Sequence, residues 1–452
     1  IFEMQRAYFI GIGGIGVSAL ARSFAADGWE VYGSDMASSE ITEELEREGI
    51  RVSIGNRVPN LKSGTELVVY SAAVPASSPD LSAARELGIK TLSYPEALGE
   101  LTRRHFTVAV SGSHGKSTTT ALLALILIEA GLDPTVIVGT KLKEFSPVGG
   151  QVSGSNFRKG QGKYLIIEAD EWNRSFHRYA PQVAVVTNID REHLDTYKTY
   201  RGVVAGFRKY FTNILKGGCL VYNARDAALR SLVPAPGRRG VRLIPFGSGK
   251  FERHKLSIPG VHNQMNAEAA WQAAKFLGVP RKTAEKAFAS YRGAWRRFEK
   301  LETKDLSGKA GSGFAGKLKT ELYSDYAHHP TEIKATLSAF REKFPKRRIV
   351  VVFQPHQIDR LTRLFLDFVR AFGDADRVVF FPTYRVEGRE EGKGKDAFAL
   401  AQEVRKRKPD TFYAENISRV MKLVEPDRKA GAVIIFMGAG DMDQKVRKFL
   451  EI

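Results

Sequence analysis

The stretch AVSGSHGKSTTT, residues 109 to 120, places Lys116 and Ser117 just behind Gly112 and Gly115, between the apolar runs FTVAV and TALLALILIEAG. A strand, a glycine turn and a helix in that order gather backbone N–H groups and a helix N-terminus around an anion. Lys116 then serves as a mobile cation and Ser117 as a hydroxyl ligand for Mg²⁺. The usual phosphate loop opens with a glycine five positions before its Gly-Lys pair. Here that position is Val110, so a shortened loop is expected.

Four further clusters sit at the ends of apolar runs. YLIIEADE ends in Glu168, Asp170 and Glu171, and VAVVTNIDREHLD in Asn188, Asp190, His193 and Asp195. A carboxylate at the end of a central parallel strand lies beside a phosphate loop and can share a Mg²⁺ with its hydroxyl. SDYAHHPTE carries Asp325, His328 and His329, and FQPHQIDR carries His356 and Arg360. Neither has the i, i+4 histidine spacing of a helical metal site. Near the start, GIGGIG (residues 11 to 16) with Asp35 downstream fits a dinucleotide-type turn, whose glycines admit a pyrophosphate and whose acid reaches a ribose or base. That pattern alone does not separate NAD from a nucleotide sugar.

These residues need rigid supports, and the chain supplies them. Short apolar runs alternate with amphipathic segments nearly throughout, the signature of βαβ units and parallel sheets. Three α/β blocks are expected over 1–104, 105–297 and 298–452, the first and last Rossmann-like and the middle one of phosphate-loop ATPase type. The Gly-, Lys- and Ser-rich DLSGKAGSGFAGKL, residues 305 to 318, reads as a loop or hairpin tip. At 452 residues, two to four domains are expected.

The composition excludes several classes. An apolar content of 43% with 26% charged residues is that of a globular protein, and no uncharged run is long enough to span a bilayer. The opening FIGIGGIG resembles a strand, not a secretory leader, and a cytoplasmic protein is expected. Cys219 is the only cysteine, which rules out an internal disulfide and a thiolate cage. The net charge of +19 suggests nucleic acid at first sight. Yet residues 1–104 hold 10 Lys/Arg against 14 Asp/Glu, and the later excess is scattered without a basic–aromatic stripe. A solvated basic face is the reading preferred, and no nucleic-acid partner or membrane insertion is expected.

In combination, GIGGIGVSALA, GSHGKSTTT, EADE, TNIDREHLD, PGVHNQMN, RRFE, DYAHHPTE and FQPH occur in an order that resembles the Mur ligases of peptidoglycan synthesis. The resemblance covers essentially the whole chain. It implies an ATP-dependent, amide-forming ligase with a UDP-binding first domain, a central ATPase and a C-terminal amino-acid domain. Its implied substrates are UDP-N-acetylmuramate, L-alanine and ATP, with two Mg²⁺ ions. By motif, the ATP loop would be Gly112, Ser113, His114, Gly115, Lys116, Ser117 and Thr118, with Lys116 on the β- and γ-phosphates. Ser117, Glu168 and His193 would hold metal, Glu168 bridging both ions. Asn263 and Asn266 would meet adenine, and Arg297 and Asp325 would close over ATP. Tyr326, His328 and Arg360 would lie near the amino acid, with His328 in the catalytic set. Gly11, Gly13, Gly14, Gly16, Ser34 and Asp35 would cradle UDP, with Ser71 beside it.

Three positions depart from the family pattern. WNRSF follows EADE where a Ser/Asp-type segment is usual, Gln357 follows FQPH in place of arginine, and Leu361 follows Arg360 in place of threonine. A bidentate guanidinium is not replaced by a neutral amide. The added group is therefore left open between L-alanine and a recycled tripeptide, with FQPH favouring alanine. GIGGIG alone would also suit an NAD-dependent oxidoreductase, which leaves Lys116 and Glu168 unused. Monomer and dimer both remain open.

Overall fold

The computed structural model describes residues 4–55, 61–145, 154–233, 239–249, 253–301, 319–385 and 393–451. The loop expected at 305–318 lies outside them. The fold is α/β, with three sheets. The first comprises β1 (Arg6–Ile10), β2 (Glu30–Asp35), β3 (Arg51–Ile54), β4 (Thr65–Tyr70) and β5 (Lys90–Ser93), all parallel in the order β3-β2-β1-β4-β5. The chain winds one way from β1 to β3 and then the other way from β4. The reversal falls between β1 and β4, which puts GIGGIG and Ser71 at the switch point where such sheets bind ligands.

The second sheet contains β6 (Phe106–Ser111), β7 (Thr135–Leu142), β8 (Ser155–Arg158), β9 (Tyr164–Glu168), β10 (Val183–Val186), β11 (Cys219–Asn223) and β12 (Arg242–Phe246). Its order is β12-β11-β10-β6-β9-β7-β8, and among the described residues only β8 is antiparallel, paired on the edge to β7. Val108, Ala109 and Val110 of β6 are fully buried, as are most side chains of the helix Lys116–Glu129 that follows. Cover on both faces of a parallel strand explains why these segments read as unbroken apolar runs. In the third sheet, β13 (Glu299–Lys300), β14 (Glu321–Asp325), β15 (Ile349–Phe353), β16 (Arg377–Phe380), β17 (Thr411–Tyr413) and β18 (Val433–Met437) adopt the order β13-β14-β18-β15-β16-β17. Again one edge strand, β13, is antiparallel.

By packing, the chain divides into two compact units, residues 1–257 with 264–291, and residues 258–263 with 292–452. The first unit holds two sheets because one buried cluster, from Phe9 and Leu20 to Phe207 and Leu220, runs through both. Polar contacts reinforce it. Arg22 donates to Asn156 at 2.6 Å and pairs with Glu48 at 2.7 Å, while Asn156 donates to the carbonyl of Ile15 at 2.6 Å. Lys141, whose side chain is fully buried, contacts Glu40 and lies 3.0 Å from Glu44 on the helix Glu40–Arg47. Among the described residues, no helix is long and apolar enough to cross a membrane.

Candidate functional site

At the C-terminal end of β6 the chain turns through Gly112 and Gly115 into the helix that starts at Lys116. Gly115 has φ +82°, and a Cβ there would lie 2.3 Å from the Asn266 side-chain oxygen. A Cβ on Gly112 would lie 2.1 Å from Thr187 Oγ1. Neither position accepts another residue without displacing the loop. The loop is held from the β10 end. The Asn188 amide accepts from the His114 N–H at 2.9 Å and donates to the His114 carbonyl at 3.0 Å. Ser113 Oγ accepts from the Asp190 N–H at 2.9 Å, and His114 Nε2 lies 2.9 Å from Asp190 Oδ2.

Lys116 Nζ donates to the carbonyl of Gly112 at 2.8 Å and to Glu171 at 2.9 Å, with Asp170 at 3.7 Å. Burial disfavours its charge, but Glu171, Asp170 and Glu168 outweigh that and hold its pKa above the ordinary lysine value. Burial likewise pushes the Glu171 carboxyl up, against the pull of Lys116. Glu168, at the end of β9, accepts from Ser117 Oγ at 3.1 Å and from the Gly139 N–H at 2.9 Å. His193 has a left-handed backbone (φ 52°), and its Nε2 lies 3.7 Å from Asp170 and 3.8 Å from Glu171. Ligand atoms of Asp170, Glu171 and His193 all fall within 4.8 Å of one another. Glu171 Oε1 is buried and accepts no hydrogen bond from the described residues. Carboxylate and hydroxyl oxygens with one imidazole form a hard donor set that fits Mg²⁺, and the orphaned oxygen gives such an ion a reason to be there.

The sequence picked out Glu168 and His193 as partners. In the structure His193 faces Asp170 and Glu171, while Glu168 is engaged by Ser117 and Gly139. Asp170 and Glu171 were visible in EADE, but nothing in the sequence distinguished the carboxylate that holds Lys116. The role of the Gly139 N–H had no signal at all. Trp172 of the departing WNRSF segment donates through Nε1 to Asp195 at 3.3 Å. Asn173 and Arg174 are both left-handed.

In the first sheet, the Gly11 N–H donates to the Ser34 carbonyl at 2.8 Å and the Ser71 N–H to the Ile10 carbonyl at 2.9 Å, so these segments do converge. The Asp35 carboxylate accepts from the Gly13 N–H at 2.8 Å and so braces the glycine turn itself. The Ser34 hydroxyl points inward, donating to buried Asp80 at 2.9 Å, which also accepts from Tyr8 at 3.0 Å. A hydroxyl committed to that network is not turned toward a ligand.

In the second unit, Asp325 accepts from the N–H groups of Phe298 (2.8 Å) and Ala327 (3.0 Å) and from Thr336 (3.2 Å), which uses both of its oxygens to brace the end of β14. Asn263 donates to the Pro259 carbonyl at 2.7 Å. The Arg297 guanidinium lies over the Tyr326 ring at 4.7 Å. Tyr326 meets His328 edge-on at 5.3 Å, and His328 meets His356 at 5.9 Å. Arg360 Nη1 lies 3.4 Å from His356 Nδ1. Tyr326, His328, His356 and Arg360 therefore share the carboxyl ends of β14 and β15, with β18 between those strands. Leu361 is fully buried because the helix Ile358–Arg363 packs that face into the core, and Gln357 is buried with φ +70°. Leu361 thus has a packing reason, whereas nothing in the structure explains Gln357 in place of arginine.

The chain matches the family descriptions "Mur ligase family, catalytic domain" over residues 6–106, "Mur ligase middle domain" over 110–254 and "Mur ligase, glutamate ligase domain" over 314–440. It is 34% identical over 475 residues to a UDP-N-acetylmuramate–L-alanine ligase of Aquifex aeolicus, covering 99% of this chain and 98% of the relative. A ligase of the same name from Geobacter sp. is 35% identical, with 98% and 96% covered. Among solved structures, the UDP-N-acetylmuramate-alanine ligase of Thermotoga maritima aligns with a TM-score of 0.79 at 25% identity, over 99% of this chain and 98% of that one. A murein peptide ligase from Psychrobacter arcticus shares the fold, with a TM-score of 0.71 at 23% identity and the same coverage.

Proposed function

The chain belongs to the Mur ligase family, and from that premise we propose that it joins L-alanine to the carboxylate of UDP-N-acetylmuramate at the expense of ATP. We assign residues 1–104 to the sugar nucleotide, 105–297 to ATP and 298–452 to the amino acid. The observation that carries the reading is the grouping of Lys116, Ser117 and Glu168 at the turn between β6 and its helix. Phosphoryl transfer asks mainly for positioning and charge neutralisation, and that is what this group offers.

On this reading the muramoyl carboxylate attacks the γ-phosphorus, the bond to the β-phosphate oxygen breaks, and ADP leaves. The amine of L-alanine then adds to the carbonyl of the acyl phosphate. Collapse of the tetrahedral intermediate expels inorganic phosphate, and the amine loses its proton. Lys116 would leave Glu171 for the β- and γ-phosphates, and the helix N-terminus would face the same charge. Mg²⁺ held by Ser117, Glu168 and His193, with Asp170 and Glu171 alongside, would supply neutralisation of phosphate charge. Asn266, beside Gly115, is suited to the nucleotide base. We place Arg360 at the incoming carboxylate and Tyr326 and His328 beside it. Asn263, Arg297 and Asp325 are assigned to the ATP side, Asp325 by holding the backbone that carries Tyr326.

Phosphate release from ATP with UDP-N-acetylmuramate, measured for L-alanine, glycine, L-serine and the cell-wall tripeptide in turn, tests the proposal. L-Alanine should give the highest kcat/KM. Preference for the tripeptide, or no amino-acid-dependent release, would overturn it.

A further inference from the structure

The helix Tyr94–Arg104 opens with a tyrosine that no part of the proposed mechanism uses. Its ring packs over the first turn of the helix Ile15–Ala26, whose N-terminus lies within GIGGIG. A Cβ added to Gly16 would lie 2.8 Å from Tyr94 Cζ and 2.9 Å from its hydroxyl oxygen. The last glycine of the motif therefore makes room for a phenol as well as for a ligand. Burial, with the charges of Glu168 and Asp170 adding to it, pushes the pKa of the phenol well above the usual tyrosine value. It remains protonated, a donor at any working pH. Among the described residues its hydroxyl has no hydrogen-bond partner, although the side chain is only half-buried.

The phenol thus lies against the helix N-terminus that, on the proposed reading, faces the diphosphate of the sugar nucleotide. We infer that Tyr94 is a substrate-binding residue whose hydroxyl donates to the diphosphate of the sugar nucleotide seated at GIGGIG. The acceptor is taken to be the diphosphate because the hydroxyl lies against the first helical turn, where unpaired backbone N–H groups already favour an anion. The inference rests on the proposed function and extends it to a residue the sequence motifs do not contain.

Tyr94→Phe keeps the ring that packs on Gly16 and removes only the donor. Binding of UDP and of UDP-N-acetylmuramate is measured by calorimetry for both proteins, with KM for ATP and Tm alongside. A hydrogen bond to a charged acceptor is worth about a tenfold or larger change in affinity. The variant should bind both ligands at least ~10-fold more weakly, with Tm and KM for ATP unchanged; a merely structural role would move Tm instead. Equal affinities in variant and wild type would overturn the inference and leave the proposed function standing. Loss of affinity for UDP-N-acetylmuramate but not for UDP would place the acceptor on the sugar and overturn the diphosphate assignment. A wild-type protein that binds neither ligand would overturn both readings together.

Discussion

Replacing Lys141 by methionine tests whether the buried charges between the first two sheets act as a unit. The Lys141 side chain is fully buried, Glu44 is 2% exposed, and Nζ lies 3.0 Å from Glu44. Removing one member of a buried pair costs about 3–5 kcal/mol, because the other charge is left in a medium that solvates it poorly. Glu44 keeps a second cation, Arg22, at 3.4 Å, so Lys141→Met should fall at the low end, about 3 kcal/mol. Glu44→Leu strands less, since Lys141 retains the more exposed Glu40 and Arg22 retains Glu48 and Asn156. The double variant leaves no orphan, and its loss should be smaller than the sum of the singles by at least ~1.5 kcal/mol. Urea unfolding followed by tryptophan fluorescence reads the midpoints, compared at an unchanged slope. A Lys141→Met loss below about 1 kcal/mol, or strict additivity in the double variant, would show that water screens these charges and refute the reasoning.

Other expectations follow from the same geometry. Lys116→Ala should abolish phosphate release while leaving calorimetric binding of UDP-N-acetylmuramate within about twofold, because among the described residues the polar partners of Lys116 are Gly112, Ser113, Asp170 and Glu171, all beyond the first sheet; near-normal turnover would contradict the assignment. His254 is held by Glu285 and Glu268, each at 2.8 Å, and although burial opposes its charge the two carboxylates raise its pKa. A raised folded value means that its stabilisation is complete below the unfolded pKa and disappears as pH rises through the folded one. The two glutamates are shifted down, so their share is lost instead as pH falls through their folded values. The Tm penalty of His254→Gln should accordingly be larger near about pH 6 than near about pH 10, and a penalty flat across that range would count against the clamp. Cys219 is fully buried and its thiol is pushed up to about 12 by burial, so iodoacetamide at about pH 8 should modify it only after unfolding.

The sequence made the central strands readable because a parallel strand covered on both faces must be apolar end to end, as FTVAV and RIVVVF are. It made the loops readable because glycine beside Lys116 has few other uses. The antiparallel edges β8 and β13 escaped notice, being short and half polar, with pairing decided by distant partners. Side-chain allegiance was the least legible part. Asp35 bonds to the glycine turn it follows, Ser34 turns inward to Asp80, and Glu171 rather than Glu168 meets Lys116. Each choice depends on which strand lies next to which, and that is a property of sheet order, not of spacing along the chain. Leu361, read as a weakened substrate contact, owes its identity to a core-facing helix position, while nothing in the structure explains Gln357 in place of arginine.

The ion pair between Lys116 and Glu171 bears on how the loop tells its ligands apart. At rest the ammonium is already neutralised, so an arriving anion competes with a resident carboxylate that burial makes costly to abandon. On the proposed reading, a single phosphate brings too little charge to win that exchange, whereas a triphosphate brings enough and can arrive with its own cation for Glu171. Discrimination among adenine nucleotides would then originate in this ion pair, before any contact with the base is made.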